Sequence, residues 1–378
     1  MSSRLLIGDT EPARGAGMRR LTVRLHIDPP LLIAVATVAL IGLAILYSAT
    51  DQDMQHVWKQ ILRLGVATVG MFMVAQVPPH WLKRITPAAF ATGILLLIAV
   101  LIVGYTGKGA QRWLNLGLFR FQPAEIMKLA VPMMIAWYLD DRALPPRGSY
   151  VAVCALMILV PVGLIAKQPD LGTALLVTGA GFFVLFFAGL RWRLILGLLL
   201  LGAALIPVLW HFMHGYQRQR VLIFLNPESD PLGSGYHIIQ SMIALGSGGL
   251  YGKGWLNGTQ SHLNFLPEGS TDFILAVFGE EFGLFGILVL FALYLFIVVR
   301  SLYIAVQAQT TFTRLLAGGL ALTFFFYVFV NAGMVTGLLP VVGLPLPLIS
   351  YGGTSMVTVM AGFGILMSIH THRKLLPT

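Results

Sequence analysis

Ionisable residues are scarce enough in this chain to be read one at a time. Of 378 residues, 15 are Asp or Glu and 25 are Lys or Arg. Glu125 and Lys128 stand three apart in an apolar stretch, so a helix puts them on one face, where pairing offsets part of the cost of holding either charge near lipid. An ionisable pair there is a functional candidate by default, with a helix-to-helix staple as the structural alternative. Just before it, residues Lys108 to Pro123 interleave cations with aromatics and glycines. In such an interfacial segment Arg112 and Arg120 can clamp phosphate oxygens with their planar forks, while Trp113, Phe119 and Phe121 anchor its depth. Asp170, in the turn Gln168-Pro169-Asp170-Leu171-Gly172, is favoured as the cap of the next helix. Asp272 sits where a long loop meets an apolar helix, which taken alone is the place of an N-cap. Glu280 and Glu281 follow two turns later beside Gly279 and Gly283, a small-residue spacing that permits close helix contact within the bundle or with a partner span. The histidines show no zinc-type spacing, and neither a nucleophile elbow nor a phosphate loop is present. Cys154 is the single cysteine, which excludes an intramolecular disulfide framework.

The elements that position these residues follow from composition. With 57% hydrophobic and 11% charged residues, and a mean hydropathy of +0.82, the chain has no ordinary water-facing surface. The fold class expected is an all-α polytopic integral membrane protein of about ten transmembrane helices with one long extracytoplasmic loop. Spans are expected near 31–49, 60–78, 85–104, 123–139, 149–167, 172–189, 194–213, 272–299, 314–339 and 353–369. That divides the chain into a cytoplasmic tail (1–30), one membrane domain (31–369) containing the loop 214–271, and a cytoplasmic tail (370–378).

The net charge of +10 is scattered in ones and twos around apolar runs rather than gathered on a face, which argues for topology and against nucleic acid. Five Arg precede a long apolar run without a signal-peptide cleavage pattern, so the first span is retained with its N-terminus in the cytoplasm. In that orientation fifteen of the 25 cations are cytoplasmic. The exceptions are Lys59, Arg63, Lys108, Arg112, Arg120, Lys128, Lys167, Arg218, Arg220 and Lys253, and they read together as an anion site, against the alternative that each snorkels to lipid headgroups. The loop 214–271 is rich in glycine, Gly233 to Gly258, which suits close backbone approach and movement rather than a rigid domain.

Six motifs follow in order: Phe121-Gln122-Pro123-Ala124-Glu125, Gln168 to Gly172, Tyr216-Gln217-Arg218-Gln219-Arg220, Gly246-Ser247-Gly248-Gly249, Phe265 to Glu268 with Thr271-Asp272-Phe273, and Pro345 to Gly353. Together they resemble the shape, elongation, division and sporulation (SEDS) proteins, and the stretch Gly252-Lys253-Gly254-Trp255-Leu256-Asn257-Gly258-Thr259-Gln260-Ser261 resembles their rod-shape branch. The resemblance covers nearly the whole chain beyond its N-terminal tail. It implies a peptidoglycan glycosyltransferase of the bacterial cytoplasmic membrane that polymerises lipid II on the outer face, during cell-wall elongation, with a class B penicillin-binding protein crosslinking the product. By matching motif it makes Asp272 the catalytic carboxylate and Glu125 with Lys128 the buried functional pair. Two departures stand out: Ser270 where members often have His, and Ala124 where they often have Ser.

Glycosyl transfer from a lipid pyrophosphate needs a base for the attacking hydroxyl and positive charge for the departing pyrophosphate. Unlike a glycosidase it needs no second, protonated carboxyl, because its leaving group is already good. Lys59, Arg112 and Arg120 are the expected pyrophosphate ligands, and Asp170, Arg218, Arg220, Glu280 and Glu281 are secondary candidates. No cofactor is required by this scheme; a divalent cation, Mg²⁺ or Mn²⁺, at the pyrophosphate is left open. The partners expected are lipid II and lipid-linked glycan, the transpeptidase and membrane lipids. A flippase or transporter, and a noncatalytic scaffold of the elongation machinery, remain as alternatives. Carriers place substrate groups near the midplane, often within inverted repeats, whereas here the polar groups cluster toward one face beside a long loop.

Overall fold

The computed structural model describes residues 25–107, 110–115, 120–212, 215–230, 234–262, 266 and 268–373. The N-terminal tail to residue 24, Lys108, Gly233, Phe265 and residues 374–378 lie outside the described residues, as do the side chains of Arg120 and Arg220. Helices occupy all ten of the apolar stretches. The first seven are α1 (Pro29–Ala49), α2 (Met54–Ala75), α3 (Pro79–Val103), α4 (Pro123–Asp140), α5 (Gly148–Lys167), α6 (Leu171–Phe187) and α7 (Trp192–Phe212). Three shorter helices follow, α8 (Gly215–Leu225), α9 (Ser234–Gly248) and α10 (Thr259–His262), and then α11 (Ile274–Gln307), α12 (Thr311–Val335) and α13 (Thr354–Thr371). Among the described residues seven helices, α1, α2, α3, α5, α11, α12 and α13, are long and apolar enough to cross a membrane, and α6 is apolar but only 17 residues long. The chain is a predominantly helical, multi-pass membrane protein.

Caps move several boundaries away from the hydropathy pattern. The Asp53 carboxylate accepts the Gln55 amide at 2.7 Å and starts α2 at Met54, ahead of the apolar run expected from residue 60. A reciprocal capping box between Thr310 and Thr313 starts α12 at Thr311, and Gly337, with φ +72°, follows its end at Val335 rather than 339.

Two segments depart further from expectation. Between α3 and α4 the chain forms three short antiparallel strands, β1 (Tyr105–Gly107), β2 (Ala110–Asn115) and β3 (Arg120–Phe121), in the order β1-β2-β3. The segment read as an interfacial stretch of cations and aromatics thus satisfies part of its own backbone by pairing. The region 214–271 is built largely of helices α8, α9 and α10. In α9, Ile238, Ser241 and Ala244 are buried at helical spacing, which explains why the helix packs onto α11 instead of behaving as a loose loop.

The interior is organised on α12, which packs against α11, α6, α4 and α13 and is the most buried of the apolar helices. Around it α2 lies along α13, and α3 along α4. At one end of the bundle Asp28 caps α1 by accepting the Leu31 amide at 3.0 Å and also receives Arg300 at 2.7 Å, with His370 at 3.3 Å. Lys83 at the start of α3 pairs with Asp140, whose other oxygen accepts the Phe312 amide at the start of α12.

Asp28 is fully buried, so Asp28→Ala strands the Arg300 charge and removes a cap. Unfolding of the purified variant in detergent is expected to show a loss of about 3 kcal/mol, with part of it recovered in Asp28→Ala/Arg300→Met. Unchanged stability of the single variant would contradict this account of the bundle end.

Candidate active site

The Glu125–Lys128 pair of α4 and the backbone of Asp272, just ahead of α11, converge on α12. Glu125 and Lys128, in the first two turns of α4, are both buried and form an ion pair of 2.7 Å. Lys128 Nζ also lies 3.4 Å from the Tyr327 hydroxyl and 5.1 Å from the centre of its ring. Tyr327 in turn meets the Ser355 hydroxyl of α13 at 2.6 Å. One turn further along α12, Asn331 donates from Nδ2 to the carbonyl oxygens of Asp272, at 2.9 Å, and Leu344, at 2.7 Å. Tyr327 and Asn331 are four apart, so a single helix face connects the ion pair to the backbone of Asp272.

Asp272 itself is half-buried and lies just ahead of α11. The N-cap position belongs to Phe273, whose side chain makes no capping hydrogen bond, so Asp272 stands one residue ahead of the cap position its sequence context suggested. Its segment is clasped by the motif around Ser350: the Ser350 hydroxyl donates to the Thr271 carbonyl, and the Tyr351 amide donates to the Ser270 carbonyl at 2.9 Å. A β-carbon on Gly343, where φ is +75°, would lie 3.5 Å from Asp272 Oδ2, so the carboxylate rests against this glycine turn. A small, partly open cavity runs along Pro345, Pro347, Ser350, Gly352 and Ser355. It shares Val359 with a larger cleft of about 50 Å³ lined by Lys128, Tyr327 and mostly apolar residues of α12 and α13.

Beside this clasp stands α2. Gln60 is buried, donates to the Ser350 carbonyl at 3.1 Å, and accepts the Gly352 amide at 3.4 Å. Arg63, one turn beyond the exposed Lys59, lays its guanidinium over the Tyr351 ring at 4.3 Å, while the His56 ring lies 5.5 Å from the same ring. From the sequence, Arg63 belongs to the cations that read together as an anion site but not to the named pyrophosphate ligands, and Gln60, Tyr327, Asn331 and Ser355 are not among the candidates. Gln60 and Asn331 carried a usable signal, since each is an amide inside an apolar helix.

The remaining candidates occupy other places. Arg112 sends Nε to the Gln168 carbonyl at 3.3 Å and Nη2 to the Pro169 carbonyl, with Nη1 3.7 Å from Asp170. Asp170 caps α6 through the Thr173 amide, as its position suggested, and accepts Gln122 at 2.7 Å. Arg218 donates to the carbonyls of Trp210 and His211 at the end of α7. Glu280 is held by the segment 253–260, and Glu281 accepts the Ser48 hydroxyl of α1. Gly279 and Gly283 make their close approaches to Leu245 and to the 250–252 backbone, and Gly286 to Phe282, so these glycines serve packing within the chain. Among the described residues no three His, Cys, Asp or Glu side chains gather as metal ligands would.

Residues 29–375 match the family described as cell cycle protein, FtsW, RodA and SpoVE. The chain belongs to this family. A relative from Escherichia coli (strain K12), named peptidoglycan glycosyltransferase MrdB, is 54% identical over 354 residues, 93% of this chain and 96% of the relative. Peptidoglycan glycosyltransferase RodA of Treponema pallidum (strain Nichols) is 33% identical over 92% of this chain and 98% of its own. Among solved structures, a chain from work on the structural coordination of polymerization and crosslinking by a peptidoglycan synthase complex superposes with a TM-score of 0.80 at 36% identity, covering 91% of this chain and 97% of that one. The rod shape determining protein RodA of Thermus thermophilus superposes with a TM-score of 0.69 at 31% identity, covering 91% and 96%.

Asn331→Leu would leave the carbonyls of Asp272 and Leu344 without these donors. The variant is expected to lose about 1–3 kcal/mol in detergent unfolding, and Tyr327→Phe less than that. Wild-type stability in Asn331→Leu would show that α12 does not hold the Asp272 segment.

Proposed function

We propose that this chain is a rod-shape peptidoglycan glycosyltransferase that polymerises lipid II into glycan strands, with Asp272 as the general base. The observation that carries the mechanism is the placement of Asp272: a half-buried carboxylate, not the N-cap, set in a polar clasp from α12, α2 and the Gly343–Gly353 segment. Its carboxylate takes the proton of the acceptor sugar hydroxyl as that oxygen attacks the anomeric carbon of the donor. The bond to pyrophosphate breaks, and the lipid pyrophosphate leaves with the electron pair. Charge then grows on phosphate oxygens, where fixed cations act most strongly because they need no reorganisation.

Lys59, Arg112 and Arg120 supply that charge, joined by Arg63 on the face it shares with Lys59. The Glu125–Lys128 pair shapes the floor of the cavity. Its geometry supports that reading because Lys128 reaches both the carboxylate and Tyr327 while lining the cleft. Both termini lie in the cytoplasm and the site faces outward: the end of the bundle holding Asp28, Lys83, Arg300 and His370 is the one that the distribution of Lys and Arg assigns to the cytoplasm. A class B penicillin-binding protein crosslinks the product.

Asp272→Asn keeps the size and hydrogen-bonding capacity of the side chain and removes its basicity. Its lipid II polymerisation rate is expected to fall by roughly 100- to 10,000-fold at unchanged thermal stability. Near-normal polymerisation by the folded variant would overturn the assignment. Separately, Lys59→Ala and Arg63→Ala are expected to raise the lipid II concentration at half-maximal rate, and unchanged saturation in both would remove these cations from the site.

A further inference from the structure

The longest helix, α11, is broken. Gly283 adopts φ +64° and ψ −166°, which divides α11 into a buried segment ending at Phe282 and a second segment that continues to Gln307. A break inside a helix takes backbone groups on both sides of it from their helical partners, so the protein must supply others. It does so with one stretch of chain between α9 and α10. The amides of Lys253 and Gly254 donate to the carbonyls of Glu280 and Glu281, each at 3.0 Å, and the amides of Leu284 and Phe285 donate to the carbonyls of Gly249 and Leu250, also at 3.0 Å. The fit leaves no room for side chains, since a β-carbon on Gly252 would lie 2.1 Å from the Glu281 carbonyl oxygen.

A carboxylate closes this joint. Glu280 is fully buried and accepts Lys253 Nζ at 2.6 Å, the Thr259 amide at 2.9 Å, the Thr259 hydroxyl at 3.0 Å and the Gln260 amide at 3.2 Å. Lys253 is the one cation in this set and is partly exposed. The short segment of α11 locked in this way is the one that follows Asp272 directly, and every residue from Phe273 to Glu281 is buried.

We infer that Glu280, clamped by Lys253, is a positioning residue for glycosyl transfer: it ties the 249–260 stretch to the broken helix and so fixes where Asp272 stands. This rests on the reading of Asp272 as the base. Glu280 touches no reacting atom, so its loss acts on the turnover of bound substrate rather than on binding. Misplacement of a catalytic group by about an ångström costs on the order of 100-fold.

The test measures lipid II polymerisation by the full chain with its transpeptidase partner. Glu280→Gln and Lys253→Met are each expected to lower kcat by about 10- to 100-fold while the half-saturating lipid II concentration stays near that of the wild type. Restraint without charge should rescue them. In a Cys154→Ala background, Leu250→Cys with Phe285→Cys bridges the joint beside the Leu250 to Phe285 hydrogen bond, and oxidation should restore most of the kcat of Glu280→Gln, with loss again on reduction. Unchanged kcat in both single variants, a defect in saturation alone, or a verified crosslink that leaves kcat low would each overturn the inference. Polymerisation that survives Asp272→Asn would instead overturn the reading on which it rests.

Discussion

A polar group inside this protein has no water to fall back on, and that constraint organises the structure around α12. Lys128 is tolerable in α4 because Glu125 neutralises it and Tyr327 faces it. Asn331 is tolerable in α12 because both its N–H groups reach carbonyls of segments that leave helical geometry, at Asp272 and Leu344. Each requirement joins one helix to another. The outcome is a chain of contacts from α4 through α12 to the start of α11, and the candidate base lies at its end.

The chemistry sets a modest demand, and the side chains present match it. Pyrophosphate departs readily, so the site needs one base and a set of cations rather than two carboxylates at a fixed spacing. In the proposed reading Asp272 answers the first need. Lys59 and Arg63 stand on α2, whose Gln60 and Arg63 meet the Ser350 to Gly353 segment that clasps the Asp272 backbone, and the proposal draws on them for the second. Arg112 is held more firmly, by the carbonyls of the Gln168 to Asp170 turn, so its remaining capacity for a phosphate is narrower than its sequence context suggested.

Much of the fold was legible because hydrophobic length is a direct consequence of crossing a bilayer; helices fill every stretch read as a span. Helix ends were less legible, because Asp53 and the Thr310–Thr313 box override hydropathy through local hydrogen bonds. The Glu125–Lys128 pair was readable from spacing alone, since three residues on a helix fix one face. The proposal of Asp272 as the base came only through family resemblance, because an acid at a loop-to-helix junction looks like a cap. Neither the break at Gly283 nor its repair by residues 249–254 could be read, for it depends on long-range backbone pairing that leaves no periodicity. The strands β1, β2 and β3 were missed because two to six residues are too few to show an alternation.

The central claim is that this chain makes polymer rather than moving a lipid across the membrane or merely holding other enzymes in place. The most direct measurement reconstitutes the purified chain with its transpeptidase partner in sealed vesicles carrying labelled lipid II. Glycan strands and lipid II translocation are then scored in the same sample. The account predicts strands that a muramidase cleaves, formed from lipid II in the leaflet that the site faces. Lipid II crossing the bilayer with no strand formed would contradict it.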